Sequence, residues 1–196
     1  EYGKGYSLVE VLAPYGYVLN SDPVYFDITE ENSTEENAVT VVVVTKENAP
    51  QMGVITVEKT GEYLASVIDT EDSKRLVYEV GGLAGAEYTV TAAEDIYTLD
   101  GTLRYSKDEV VAVLVTKEDG KAVTEPLFLG RFHVVETKAP YGMILNPTVQ
   151  TVELTYAGQE VEITETSTGF CNERQKVEID LYKVMEQNSV FGVGNN

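Results

Sequence analysis

The chain is short of the residues that most often staple a fold or carry chemistry. Its 196 residues include a single cysteine, Cys171, a single histidine, His133, and no tryptophan. One cysteine excludes an intrachain disulfide, so a secreted chain of this kind needs another source of rigidity. One histidine and one cysteine also leave too few soft ligands for a metal centre. Basic residues are scarce as well. Lys and Arg number 14 against 33 Asp and Glu, a formal charge of −19, and such a surface repels nucleic acid and anionic lipid. No apolar run approaches the length of a membrane span, and a stretch such as Val39–Val44 is strand-sized. No membrane insertion is expected. The sequence has no nucleophile elbow or phosphate loop, so neither an enzyme activity nor a cofactor is expected. The sequence opens at Glu1 without a signal peptide and closes without a sorting motif, so it reads as an excised fragment whose targeting segments are not seen.

What is present is β-structure. Hydrophobic residues make up 43% of the chain, enough for a packed core. Short β-branched or aromatic segments alternate in polarity between Gly, Pro, Asn and Asp clusters. They are Tyr6–Val11, Val39–Thr45, Gly53–Lys59, Ala86–Thr91, Val110–Thr116, Arg131–Thr137, Thr148–Leu154 and Val177–Tyr182. None has a helical stripe, and regular short strands of this kind indicate a sandwich or barrel. Asp95–Asp108 reads as a long connection with one turn of helix.

An internal repeat organises these segments. Residues 6–20, YSLVEVLAPYGYVLN, match residues 132–146, FHVVETKAPYGMILN, so that Glu10, Pro14, Gly16 and Asn20 align with Glu136, Pro140, Gly142 and Asn146. A second landmark follows nearly the same period. Lys59 comes 11 residues after Asn48, and Lys183 comes 11 residues after Asn172. The repeat divides the chain into the C-terminal part of one module (1–51), a complete module (52–175) and the first strand of another (176–196).

Period-two alternation assigns faces within the strands. Ile55, Val57 and Lys59 share one side, as do Val177, Ile179, Leu181 and Lys183. Phe132, Val134 and Glu136 share a face, Tyr6, Leu8 and Glu10 repeat it, and Asn172 has the parity of Phe170. A lysine, a carboxyl and a carboxamide thus project from apolar faces, where each alone is costly to bury. Burial disfavours charge, which lowers the pKa of a lysine and raises that of a carboxyl. A neutral Lys59 amine is a nucleophile and the Asn172 carboxamide carbon an electrophile. A protonated Glu136 between them can polarise the carbonyl and carry protons to departing ammonia. The product is a side-chain amide, formed once per module without turnover. Asn146 and Asn188 are also available as the amide partner, and loop asparagines are common.

These motifs resemble the Cna B-type, or SpaA-like prealbumin-like, domains of Gram-positive adhesins and pilus shafts. ETKAPYG within Phe132–Met143 is similar to that family's glutamate strand and ITVEK at 55–59 to its first-strand lysine. NERQKVEIDLYK at 172–183 is similar to its last-strand asparagine running into the next module. The resemblance implies reverse-immunoglobulin β-sandwiches in tandem. Lys59 and Asn172 would form an isopeptide bond promoted by Glu136, and Glu10, Asn48 and Lys183 would be equivalents in the flanking pieces. It further implies a structural stalk segment on the wall-anchored surface of a Gram-positive bacterium, with neighbouring modules as partners. The alternative is a module that grips host matrix protein or carbohydrate, for which Tyr97 and Tyr105 are the candidate contacts. The APYG segments, Ala13–Gly16 and Ala139–Gly142, read as turns. The acidic stretch Asp69–Asp72 lacks the spacing of a calcium loop.

Overall fold

The computed structural model describes residues 2–32, 34–36 and 39–184, and every regular element among them is a strand. In chain order these are β1 (Gly3–Leu8), β2 (Val24–Ile28), β3 (Thr34–Glu36), β4 (Val39–Val41), β5 (Met52–Asp69), β6 (Lys74–Gly82), β7 (Glu87–Ala92) and β8 (Ile96–Tyr97). Then come β9 (Leu103–Tyr105), β10 (Val110–Val115), β11 (Lys121–Val123), β12 (Leu127–Phe128), β13 (Gly130–Lys138), β14 (Gln150–Leu154) and β15 (Ile163–Asn172). In the N-terminal piece, β1 pairs with β2 and β3 with β4.

The strands from β5 to β15 form the expected all-β sandwich. One sheet runs β10-β7-β13-β14. The other is built on β5, which takes β11, β12 and β6 antiparallel and β15 parallel. The alternation read from sequence sets the inner faces: Ile55 and Val57 from one sheet meet Tyr88, Val90, Phe132 and Val134 from the other, with Phe170 of β15 beside them. Burying such side chains supplies about 1.5–3 kcal/mol each. A parallel pair needs a long crossover, and here the rest of the sandwich is that crossover. Its register sets Phe170 opposite Lys59 and Asn172 opposite Gly61.

Three segments depart from the sequence reading. β5 does not end near Lys59 but runs on to Asp69, because its outer half finds a cross-strand partner in β6 through a turn in which Thr70 N and Ser73 N bond each other's carbonyls. Asp95–Asp108 holds no helical turn. It folds back as the β8–β9 pair, with Gly101 at φ 81° letting Thr98 and Thr102 close the bend. Val177–Tyr182 lies outside any strand, and Val177, Ile179 and Leu181 are exposed. Their alternation pairs with no backbone among the described residues, and a strand needs such a partner. Residues 185–196, including Asn188, lie outside the described residues.

Glycines hold the backbone of Lys59 in place. Lys59 N donates to Gly120 O at 2.7 Å, Leu83 N donates to Lys59 O at 3.0 Å, and Gly120 sits at φ 76°. A Cβ on Gly120 would stand 2.4 Å from Lys59 O, so both the dihedral and the space require glycine. Gly120→Ala should therefore destabilise the sandwich by about 1–3 kcal/mol. Equal denaturant midpoints for variant and parent would contradict this packing.

Candidate functional site

The two faces that carry Lys59, Glu136 and Asn172 meet inside the sandwich. Lys59 leaves the inner face of β5, Glu136 that of β13, and Asn172 ends β15; they are 1%, 1% and 4% exposed. Lys59 Nζ lies 3.5 Å from Glu136 Oε1 and donates to Phe170 O at 3.4 Å. Asn172 Nδ2 reaches Glu136 Oε1 at 3.0 Å and Oε2 at 2.8 Å. The carboxyl is thus the hub, with the amine and the carboxamide on either side.

Two further groups complete the hub. Asn146 N donates to Glu136 Oε2 at 2.7 Å, and the Tyr88 hydroxyl donates to Oε1 at 3.4 Å. Tyr88 also packs its ring against Phe170, with centroids 4.8 Å apart. Neither role follows from sequence reasoning. In the sequence Asn146 stands out as a repeated position and as an alternative amide partner, whereas here its side chain bonds Cys171 O, and the signal for Tyr88 is its place on an inward face beside Val90.

Burial sets the electrostatics. It holds the Lys59 amine below its ordinary value of 10.5, although the Glu136 charge beside it acts in the opposite sense. Burial, with Glu136 adding to it, pushes the Tyr88 phenol well above its ordinary range, so Tyr88 remains a donor. The Asn172 Oδ1 is buried without a hydrogen-bond partner, and an unsatisfied buried acceptor costs about 1–3 kcal/mol. Cys171, one residue away, is exposed.

The N-terminal piece repeats part of this geometry. Asn48 Nδ2 donates to Glu10 Oε2 at 2.6 Å, and Asn20 N donates to the same oxygen at 3.0 Å. Asn20 Nδ2 bonds Glu47 O at 3.3 Å, just as Asn146 Nδ2 bonds Cys171 O at 3.3 Å. Glu10 and Asn48 are only partly buried, and Lys183 is exposed and outside any strand.

The family match falls within the sandwich and takes in Glu136 but neither Lys59 nor Asn172. The model of the family described as "SpaA: Prealbumin-like fold domain" matches residues 77–169. Residues 77–169 are therefore similar to a SpaA-type prealbumin-like domain. No curated protein sequence matches the chain. Among solved structures it is similar to the Bacillus anthracis TIE protein, at 22% identity over 86% of this chain and 25% of that one, with a TM-score of 0.49. It is also similar to BcpA, the major pilin subunit of Bacillus cereus, at 21% identity over 64% of this chain and 29% of that one, TM-score 0.37. For the Corynebacterium diphtheriae major pilin SpaA the identity is 22% over 63% of this chain and 31% of that one, TM-score 0.40. The chain spans less than a third of the length of each of these three proteins.

Removing the carboxyl gives a test of the buried amine. Glu136→Ala takes away the charge that favours the ammonium form and leaves burial unopposed. Folded Lys59 then binds its proton less tightly than the unfolded chain does. The variant's stability should rise with pH from the depressed value up to the ordinary 10.5. Chemical denaturation across the alkaline range reads this directly, and a flat or falling profile would contradict it.

Proposed function

We propose that this chain is a structural segment of a Gram-positive surface stalk, an adhesin or pilus shaft, hardened by an amide that forms itself between Lys59 and Asn172. The observation that carries the reading is the burial of a lysine, a glutamate and an asparagine side by side between two sheets. Buried charge calls for a partner or a purpose, and this set fits a reaction.

The step balances within the three residues. Neutral Lys59 Nζ attacks Asn172 Cγ and a C–N bond forms. Rotating the carboxamide about its Cβ–Cγ bond gives the unpartnered Oδ1 a place at Glu136. A protonated Glu136 then hydrogen-bonds that oxygen and polarises the carbonyl. The carboxyl relays the proton lost by the amine to the departing nitrogen, which leaves as ammonia. The packed core keeps the groups in contact, replacing a high effective concentration. The site works once, so the chain is not a turnover enzyme, and the step calls for no cofactor.

In this reading, 1–51 is the end of one module with the half-site Glu10–Asn48, 52–175 is a complete module, and 176–196 opens another with Lys183 as its lysine. Neighbouring modules are the partners and the bacterial surface is the location. A second reading, a grip on host protein or glycan, draws on the exposed Tyr97, 56% accessible, in a cleft with Tyr15, Tyr17 and Tyr156. Tyr105 does not serve that reading, because it packs against Phe128 and Phe132.

A stalk segment should resist extension. Pulled by its two ends in a single-molecule experiment, the parent should release no length from the residues between Lys59 and Asn172, while Glu136→Ala should release that whole stretch. Equal extension of the two would overturn the proposal.

A further inference from the structure

The contacts that fasten residues 1–51 to the complete sandwich are prepared a second time at its far end. Gln51 is 1% exposed. Its Nε2 donates to Gly158 O at 2.8 Å and to the Val161 carbonyl, and its Oε1 accepts from Ala157 N at 2.8 Å. Ala13 N donates to Gln159 Oε1 at 2.9 Å, and Leu19 N donates to Gln159 O at 2.8 Å. The rings of Tyr15 and Tyr156 lie 4.6 Å apart. One glutamine and one tyrosine thus grip the connection between β14 and β15.

The backbone that presents Tyr15 and Gln51 recurs around Tyr141 and Gln175. Tyr17 N bonds Pro14 O at 3.1 Å, and Met143 N bonds Pro140 O at 3.0 Å. Gln51 N bonds Gly16 O at 2.8 Å, and Gln175 N bonds Gly142 O at 2.9 Å. Gly16 and Gly142 have φ 83° and 77°, and the bridges Tyr17–Pro50 and Met143–Arg174 correspond. The frames agree while the coverage differs. Tyr141 has a relative exposure of 105%, and Gln175 is also exposed.

We propose that Tyr141 and Gln175 form a docking surface for one partner, the β14–β15-type turn of a further module joined after Gln175. The chemistry of the existing junction defines that partner. It offers two backbone carbonyls and one N–H to a carboxamide, which has two donors and an acceptor to match, and an aromatic ring to a tyrosine. A second copy of this chain does not fit, because its own turn is already held by its own Gln51 and Tyr15. The segment after Gln175 also carries the alternation of 52–59, with Val177, Ile179, Leu181 and Lys183 aligning with Gly53, Ile55, Val57 and Lys59. The inference rests on reading residues 176–184 as the opening strand of a module. It makes the angle between successive modules a fixed property of the stalk.

The test keeps residues 1–175 entire and joins a second copy of residues 52–184 directly after Gln175, in a Cys171→Ser background. Spin labels at Glu118→Cys in both copies report the distance between modules by pulsed electron resonance. One narrow distance is expected, and Tyr141→Ala with Gln175→Ala should abolish the narrow peak. In the unextended chain the same pair should leave the melting temperature unchanged, since both side chains are uncovered there. A broad distribution in the parent, a narrow one that survives the double substitution, or a peak that depends on protein concentration would each overturn the proposal. The mass shortfall of the extended chain, expected as two ammonia molecules, reads the amide reaction separately from the junction.

Discussion

Everything in the complete sandwich converges on one expensive contact, the burial of Lys59 beside Glu136. An ammonium and a carboxylate removed from water lose several kcal/mol of solvation each, and their mutual attraction repays this only with good geometry and further hydrogen bonds. The further bonds are present. Asn146 N, Tyr88 and Asn172 Nδ2 all donate to the carboxyl, while Phe170 O accepts from the amine. Even so, burial dominates at Lys59 and lowers its proton affinity. An amine whose proton affinity burial lowers, held dry beside a carboxamide, is poised for chemistry with it, and the proposed amide removes the charge that burial penalises.

The sheet pairing explains why these residues meet. β5 and β15 are the first and last strands of the complete sandwich, and they run parallel in register from Ile163–Met52 to Asn172–Gly61. Force applied along the chain would load this pair from its two ends. A covalent link from β5 to the end of β15 would close nearly the whole sandwich into a loop. By the chain-entropy account of disulfides, a closed loop of about a hundred residues is worth about 4–5 kcal/mol. A chain with one cysteine has no intrachain disulfide route to that stabilisation, and the proposed amide would supply it.

Much of this is legible in the amino-acid sequence. Period-two alternation places Ile55, Val57 and Lys59 on one face and Phe132, Val134 and Glu136 on another, and all six are buried. The repeat singles out Glu136 and Asn172, and the fold puts them within hydrogen-bond distance. What escapes is structure decided by a distant partner. The outer half of β5 is strand because β6 lies beside it, and Asp95–Asp108 bends back into β8 and β9 because Thr98 and Thr102 find each other across Gly101. Val177–Tyr182 carries the pattern of a strand and pairs with none of the described residues. The roles of Tyr88 and of the Asn146 backbone amide also require the fold, because a hydrogen bond to Glu136 leaves no mark in local periodicity. Gln51 carries no signal at all, since a lone glutamine at the end of a loop looks like surface.

The central claim is that the buried triad reacts, and the mass of the intact folded chain tests it most directly. The account predicts a mass below that of the sequence by at least one ammonia, with a digest that yields the Lys59 and Asn172 peptides joined and with no shortfall from this site in Glu136→Ala. A parent chain of full sequence mass, folded and with both peptides recovered separately, would contradict it.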